Sequence, residues 1–247
     1  MNKLTSFLID EQQAHRKGGL YHKTQVQLAY NSIRIEGSKL TEVQTRYIFE
    51  TRTIGFKDQE AVPVDDIIET TKSLCCLRLS SSYHRGTFDE IVIKEFHRIL
   101  KTGTADAQKS YFNVGDYKQL ANEVGGHETC KPADVAKEIS SLQAWYHAQK
   151  DVTIHTLAEY HWRFENIHPF QNGNGRVGRL ILFRECLRHS IMPFVIDNEH
   201  KMYYYRGLSE FKQTPGFLVG TMQSAQDMYE AWIKYFNEDL LEGLKVE

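Results

Sequence analysis

The stretch HPFQNGNGRVGR, from His168 to Arg179, decides the fold and the chemistry of this chain. It places an imidazole, a glycine-rich turn and two fixed positive charges within twelve residues. Glycine tolerates positive φ and leaves the backbone N–H groups uncovered. The first N–H groups of a helix have no partner inside the helix, so a helix that begins in this turn offers a binding site for an anion. The stretch therefore predicts a site for phosphate groups.

The charged residues of this stretch predict what happens to a bound phosphate. Arg176 and Arg179 are three residues apart, so in a helix from Asn174 both guanidinium groups can reach one polyphosphate. The amide of Asn174 is a further candidate donor. Pro169 prevents the preceding helix from continuing beyond His168, which leaves the ring beside the turn. Because a neutral imidazole is a good general base near pH 7, the stretch predicts attack of a hydroxyl group on phosphorus.

The joint pattern resembles the signature of the Fic family, HxFx(D/E)GNGRxxR. A glycine turn alone is ordinary, and two arginines three residues apart usually form a solvated face, so the resemblance depends on their combination. The matching positions, including the frequent proline, are His168, Pro169, Phe170, Gly173, Asn174, Gly175, Arg176 and Arg179.

The resemblance implies an all-α Fic fold, a helical bundle with a short β-hairpin flap beside the active site. It implies a protein adenylyltransferase in which a Ser, Thr or Tyr hydroxyl attacks the α-phosphate of ATP and Mg²⁺-pyrophosphate leaves. Target proteins and the chain itself are the expected substrates. The base would be His168, and the γ-phosphate would bind Arg179. The α- and β-phosphates would bind Gly173, Asn174, Gly175 and Arg176.

Two further segments extend the resemblance. The stretch GDYKQLANEVGG, at 115–126, is predicted as a short hairpin bounded by glycines. It resembles the family's flap, which holds an extended target segment by strand addition. The stretch YYRGL, at 204–208, resembles an element that lines the adenine pocket, which implies nucleotide-binding roles for Tyr204 and Tyr205.

One position departs from the signature, because Asn172 stands where the family has an acid that binds Mg²⁺. An amide oxygen can bind a hard cation but brings no charge. Three outcomes are open: the phosphates of ATP hold the cation with Asn172 as a weak ligand, another acid such as Glu165 substitutes, or the chain binds nucleotide with little catalysis. The retained His168 favours the first outcome.

A candidate inhibitory motif precedes this region. Residues 32–37, SIRIEG, fit the pattern (S/T)xxxE(G/N) found in many Fic proteins. Ser32 and Glu36 are one helical turn apart on one face, so we expect the serine to orient the carboxylate. If Glu36 pairs with Arg179, it occupies the guanidinium group that the γ-phosphate needs.

The pattern of the remaining sequence predicts a single, mostly helical domain over 1–247. Its parts are an N-terminal helical arm at 1–55 and a Fic core at 60–235. Gly37 suits the left-handed residue after the first helix. PFVI, at 193–196, is predicted as a further short extended piece. The predicted helices are 24–35, one opened by a capping box at 41–44, one opened by a box at 87–90 with Ile93, Phe96, His97 and Leu100 on one face, 153–167, Asn174 to about His189, and 217–236.

The charge and composition of the chain argue against a nucleic-acid partner and against a membrane span. The 247 residues carry a net charge of −2 without a long run of one sign, which argues against a nucleic-acid partner. No stretch approaches the ~20 apolar residues of a membrane span. A cytoplasmic location is expected, although a secreted effector and a homo-oligomer are left open. The cysteines form no CxxC pair and are expected as free thiols: Cys75, Cys76, Cys130 and Cys186.

Other histidines and aromatic residues have simpler explanations. His155, His161 and His168 are six and seven residues apart, whereas helical zinc sites use spacings of three or four, so a metal site is not expected. His97 is interpreted as a core residue, and Trp232 as a core or interface residue. Two competing functions remain open: removal of AMP from proteins, with Glu36 orienting a water, and nucleotide sensing with weak catalysis.

Overall fold

The computed structural model describes residues 2–55, 61–77 and 88–245, which form ten α-helices and one two-stranded antiparallel sheet. The all-α prediction with one small hairpin is confirmed. The helices are α1 (Lys3–Gln13), α2 (Leu20–Ile35), α3 (Glu42–Glu50), α4 (Val64–Cys76), α5 (Glu90–Lys101), α6 (Val135–His147), α7 (Ile154–Ile167), α8 (Asn174–Arg188), α9 (Lys201–Ser209) and α10 (Gly216–Asn237), and the strands are β1 (Glu123–Val124) and β2 (His127–Glu128).

Helix α8 occupies the centre of the core. Nearly every residue of this helix is buried, and such a helix must lie inside a domain. It packs against α7 and α5, and it also contacts α2 of the N-terminal arm. Helices of the core and of the N-terminal arm therefore both pack against α8.

The local signals for the first two predicted helices are confirmed. Helix α2 ends where predicted, and Gly37 has a φ of +102°. At α3, the Thr41 hydroxyl accepts from the Gln44 N–H at 3.2 Å, and the Gln44 side chain accepts from the Thr41 N–H at 2.9 Å. This reciprocal pair satisfies two donors that the helix itself leaves unpaired. Helix α2 begins at Leu20, four residues before the predicted start.

The predicted box at 87–90 does not open the next helix as expected. Thr87 lies outside the described residues, and Asp89 is the N-cap of α5, accepting from the Val92 N–H at 3.2 Å. Aspartate is among the preferred N-cap residues, so the helix begins at Glu90. The buried face predicted for this helix is confirmed.

The hairpin predicted at 115–126 is wrong in position. The strands β1 and β2 lie at its C-terminal end, and Gly125 and Gly126, with φ values of +58° and +79°, form the turn between them. Two consecutive residues with positive φ are what a two-residue hairpin loop requires, so this glycine pair marks the turn and not the border. The preceding residues, 115–122, form no strand.

The residues predicted as a short extended piece, 193–196, form no strand in the structure. These residues are buried, and the nearby pairing is an isolated bridge between Ile191 and Lys245. Their apolar character reflects packing in the core, which an apolar run cannot distinguish from strand formation.

Several smaller expectations can be checked in the described part of the chain. The four cysteines are free thiols, as predicted. Trp232 packs against the core as a partly buried side chain. No helix within the described ranges combines the length and apolar character that a bilayer span needs.

Gly207 allows α9 and α10 to approach closely, which gives a stability prediction. A Cβ on Gly207 would lie 2.7 Å from the Leu218 Cα and 2.8 Å from its N. Because backbone atoms cannot move aside cheaply, Gly207→Ala should lower the free energy of unfolding by about 1–3 kcal/mol.

Gly220→Ala is the matched control, because a Cβ there meets nothing within 4 Å on the same helix pair. It should gain up to about 1 kcal/mol from helix propensity. Urea unfolding of both variants checks the pair, and equal effects on stability would contradict the close approach.

Candidate active site

His168 ends helix α7 in a left-handed conformation. Its φ and ψ are 50° and 62°, and its N–H donates to the Phe164 carbonyl at 2.9 Å. A positive φ is uncommon for a residue other than glycine, and such conformations cluster at functional sites. The predicted helix end at this histidine is confirmed.

The ring of His168 is held as a neutral base. Its Nδ1 lies 3.3 Å from the Glu165 carbonyl, which can only accept, so Nδ1 carries the hydrogen and Nε2 keeps its lone pair. Burial lowers the pKa of His168 to about 4, and the neighbouring Lys118 acts in the same direction. At pH 7 the ring is therefore uncharged and able to accept a proton.

Asn174 shapes the loop that follows His168. Its Oδ1 accepts from the Phe170 N–H and its Nδ2 donates to the Phe170 carbonyl, both at 2.8 Å. These two bonds use the oxygen and one of the two N–H groups of the amide, so the second N–H stays a candidate donor to phosphate. The backbone N–H groups of the turn are further candidate donors.

His97 supports the same loop from helix α5. Its ring stacks on Phe170 at 3.9 Å between centroids. Its Nδ1 accepts from the Gly115 N–H at 3.0 Å, so Nε2 carries the hydrogen and donates to the Asn172 carbonyl at 3.2 Å. The core position predicted for this histidine is confirmed. The sequence does not predict the contacts of His97 with the loop, because the helical pattern does not show which backbone groups the ring will contact.

The segment 115–122, here named the flap strap, runs along this loop without forming a strand. The Lys118 N–H donates to the Pro169 carbonyl at 2.9 Å, and the Asn122 side chain donates to the Phe170 carbonyl at 3.1 Å. Leu120 is 48% exposed beside it. The predicted flap thus lies next to the motif, although its strands form farther along the chain.

The carboxylate of Glu36 lies over the glycine turn at the start of helix α8. Gly173 has a φ of +88°, as the turn predicts, and is the N-cap of α8. A Cβ on Gly175 would lie 2.5 Å from Oε1 of Glu36 and 3.0 Å from Nη1 of Arg179. The predicted anion site therefore contains an anion from the chain itself, favoured by the positive end of the helix.

Arg179 lies in a pocket of acceptors from two other helices. Its Nη2 donates to Glu36 Oε1 at 2.7 Å and to the Ser32 carbonyl at 2.9 Å, and its Nη1 lies 3.5 Å from the Tyr204 hydroxyl. The Ser32 hydroxyl accepts from Nε at 2.9 Å. The expectation that Ser32 orients Glu36 is therefore wrong in its partner, because the guanidinium group presents a donor to each of them.

The two partners of this ion pair differ in exposure. The side chain of Arg179 is 4% exposed, whereas that of Glu36 is 36% exposed. Burial opposes ionisation of Glu36, but Arg179 and Arg176 outweigh it and hold its pKa below the ordinary value. Glu36 is therefore a charged carboxylate that is partly open to solvent.

The two tyrosines assigned to the adenine pocket lie in different environments. Tyr204 is buried, and its hydroxyl lies 2.7 Å from Nε2 of His161, so it belongs to the polar interior under Arg179. Tyr205 is 39% exposed and donates to the Ile35 carbonyl at 3.2 Å. Of the two, Tyr205 is the one with a surface open to a ligand.

Arg176 and Asn172 belong to a polar cluster that the sequence does not reveal. Arg176 pairs with Glu69 of α4 and donates to Oδ1 of Asn172 at 2.8 Å. The Asn172 Nδ2 donates to Asp106 at 3.1 Å. The buried ammonium of Lys101 bridges Glu69 and Asp106 at 2.5 and 2.8 Å. Glu69, Lys101 and Asp106 belong to no motif, so only the fold reveals them.

Glu165, the acid considered as a substitute metal ligand, lies beside helix α8. Its carboxyl packs against Gly178 beside His161, because a Cβ on that glycine would lie 2.7 Å from each of them. Burial raises the pKa of Glu165 to about 8, so it is protonated at neutral pH. Within the described ranges, no group of three or more His, Cys, Asp or Glu side chains could hold a metal ion.

Comparison with protein families identifies the region that contains this site. Residues 87–185 match the model of the Fic/DOC family. The chain is 30% identical to protein adenylyltransferase Fic of Culex quinquefasciatus over 190 residues, which is 73% of this chain and 35% of that protein. It is 28% identical to the protein of the same name from Drosophila melanogaster over 214 residues, 81% of this chain and 41% of that one. The chain thus spans less than half the length of these relatives.

Solved structures give the same fold. A Fic domain containing signaling protein from Bacteroides thetaiotaomicron superposes with a TM-score of 0.70 and 21% identity, covering 99% of both chains. Fic-1 from C. elegans superposes with a TM-score of 0.71 and 20% identity, over 96% of this chain and 73% of that one. At these identities the likeness shows the Fic fold.

The buried titratable groups of the site predict a loss of stability in acid. Burial lowers the pKa of His97 and His161 to about 3 and that of His168 to about 4, so the unfolded chain binds more protons below pH 6.5. From pH 7 to 5 each histidine should cost about 2 kcal/mol of unfolding free energy. Glu165 acts oppositely, since its raised pKa gives stability that is present below pH 4.5 and lost as the pH rises through 8.

The net loss between pH 7 and 5 should be about 3 kcal/mol, and Glu165→Gln should enlarge it to about 6 kcal/mol by removing the opposing group. Urea unfolding at both pH values measures each difference. A stability that does not change between pH 7 and 5, or that rises in acid, would contradict the assignment of neutral buried histidines.

Proposed function

Because residues 87–185 of this chain form a Fic domain of the Fic/DOC family, we propose that the protein transfers AMP from ATP to hydroxyl groups of target proteins and of itself. One observation carries the proposal: the start of helix α8 holds an anion over Gly175 and against Arg179, beside the neutral ring of His168. The positive charge and the neutral base at this position support the proposal of a triphosphate substrate.

The residues divide the reaction among them. Nε2 of His168 takes the proton from a Ser, Thr or Tyr hydroxyl, whose oxygen bonds to the α-phosphorus of ATP. The bond from that phosphorus to the bridging oxygen breaks, and pyrophosphate leaves. The amides of the Gly173–Gly175 turn and Arg176 hold the α- and β-phosphates, and Arg179 binds the γ-phosphate. A bound Mg²⁺ would supply positive charge to the leaving pyrophosphate.

Target recognition is assigned to the flap strap. Residues 115–122 lie along the loop that carries His168, and they form no ladder with a neighbouring strand. An extended target segment that paired with this strap would bring its hydroxyl group toward the ring. The exposed side chain of Leu120 offers a contact for that segment.

Glu36 is the regulatory residue of this proposal. Its carboxylate lies where an anion would bind at the start of α8, and it holds the guanidinium group assigned to the γ-phosphate. ATP can then bind only with its phosphates displaced from the productive position. Glu36 acts as an inhibitor of transfer from within the chain.

Removal of AMP from a modified protein is the second candidate function. It is favoured by the ionised and partly exposed state of Glu36, because such a carboxylate can orient a water for attack on phosphorus. Under this alternative, Glu36 is needed for the reaction and does not only inhibit transfer.

The test uses ATP labelled at the α-phosphate, with Mg²⁺ and the purified protein. Glu36→Gly should raise the rate of self-labelling by about one to three orders of magnitude, because truncating one partner of such a contact is worth about 2–5 kcal/mol, less where the partner is exposed. Glu36→Gly/His168→Ala should not label, since the base is absent. The matched control is Glu199→Gly, at an exposed turn residue, and should label like the wild type.

The other outcomes separate the competing functions. An unchanged rate in Glu36→Gly would contradict inhibition by Glu36. ATP binding without labelling in any variant would favour nucleotide sensing. Faster loss of AMP from a prelabelled protein in the wild type than in Glu36→Gly would favour AMP removal.

A further inference from the structure

One residue of the flap strap contacts the peptide groups on both sides of His168. The Lys118 N–H donates to the Pro169 carbonyl at 2.9 Å, and the ammonium group of the same lysine donates to the Ile167 carbonyl at 3.4 Å. We propose that Lys118 is a positioning residue for His168, which fixes the backbone around the ring and places a buried positive charge near it. This inference rests on the proposed function and adds a residue to that site.

The left-handed backbone of His168 needs support from its surroundings. A φ of 50° is unfavourable for a residue with a Cβ, so it persists only where neighbouring contacts fix it. Asn122 of the same strap donates to the Phe170 carbonyl at 3.1 Å and accepts from the Lys118 ammonium group at 2.7 Å. Lys118 and Asn122 therefore hold three carbonyl groups of the loop, those of residues 167, 169 and 170.

The ammonium group of Lys118 is a buried charge held by neutral acceptors. The residue is 3% exposed, and its two short hydrogen bonds go to the Asn122 amide oxygen and the Thr129 hydroxyl, both at 2.7 Å. Among the described residues it forms no ion pair with an acid. Burial lowers the pKa of Lys118 to about 8, so the group is still charged at pH 7. A buried charge without a counter-ion is costly for the fold, which indicates a role in the adjacent site.

Two charged side chains from other described elements act on the ring of His168. Burial is the main cause of its low pKa; Lys118 lowers the pKa further, whereas Glu36 of α2 opposes the shift. The Cys130 thiol also lies near the ammonium group, but burial raises its pKa, so it is uncharged at pH 7. Lys118 is therefore the cation that favours the neutral, proton-accepting form of the ring.

The first measurement follows protonation of His168 by NMR of the protein with labelled histidine, and it needs no activity. A ring with a pKa of about 4 is about one-tenth protonated at pH 5. Lys118→Met removes the charge and keeps most of the apolar stem, so this fraction should rise to about one quarter or more. Lys118→Arg keeps the charge and should stay near about one-tenth. The signal is assigned by its loss in His168→Gln.

The second measurement follows self-labelling between pH 5 and 8 in a Glu36→Gly parent. At pH 7 the ring is neutral in every variant, so the position of the base decides the rate, and Lys118→Met should lose at least about tenfold. Its labelling should also fall more steeply than that of the parent from pH 7 to 5, because the base gains its proton at a higher pH. Lys118→Arg should recover both the rate, to within about fivefold, and the pH dependence.

The matched control is Lys94→Met. Lys94 also lies beside the flap strap, over the ring of Tyr117, but its charge is paired with Glu90 and Asp116. It should match the wild type in the NMR measurement and the parent in labelling.

Each result decides the inference. An unchanged protonated fraction in Lys118→Met overturns it, and so does an equal rise in Lys118→Arg, which would mean an effect of packing and not of charge. A loss of labelling in Lys118→Met without the steeper fall in acid also overturns it, since a purely structural role would act equally at every pH. A parent that does not label, while the protonated fraction rises in Lys118→Met alone, contradicts the proposed function and supports the placement of Lys118 near the ring.

Discussion

The buried guanidinium group of Arg179 is the constraint on which the rest of the site depends. Arginine keeps its charge at all accessible pH values, and a charge at 4% exposure must be paired. Its partners lie on α2 and α9, so the N-terminal arm must stay docked against the first turns of α8. Ser32 provides two of these contacts and Glu36 one. Loss of Glu36 from the pair therefore leaves the guanidinium group partly satisfied by Ser32, so α2 can stay docked without this contact.

The loop before α8 is built to keep its shape when a ligand binds. The Asn174 amide closes it on Phe170, and His97 ties it to Gly115 at the start of the flap strap. Groups that are fixed in this way need no reorganisation when charge develops on a phosphate, which is the main advantage of a preorganised site. The same contacts explain why a titratable residue, His97, is kept neutral in the core: each ring nitrogen already has one role.

The sequence predicts those features whose cause is local. The turn, the arginines and the helix around them lie within twelve consecutive residues, and the capping box at Thr41 is complete in four. The cluster around Asp106 is not predictable in this way, because its members come from separate elements and no spacing marks them. Ser32 shows an intermediate case: the spacing correctly places it on one face with Glu36, but only the fold shows that Arg179 lies between them. The predicted position of the hairpin was wrong because a glycine pair can form either the turn of a hairpin or its outer end.

Regulation, on this account, is competition between two anions for one guanidinium group. Calorimetry of ATP and ADP binding to the wild type and to Glu36→Gly tests this most directly, because the two nucleotides differ by the phosphate that Arg179 would bind. ATP and ADP should bind the wild type with similar affinities, and ATP should bind at least about tenfold more tightly than ADP once Glu36 is removed. The same ATP-to-ADP ratio in both proteins would contradict this competition.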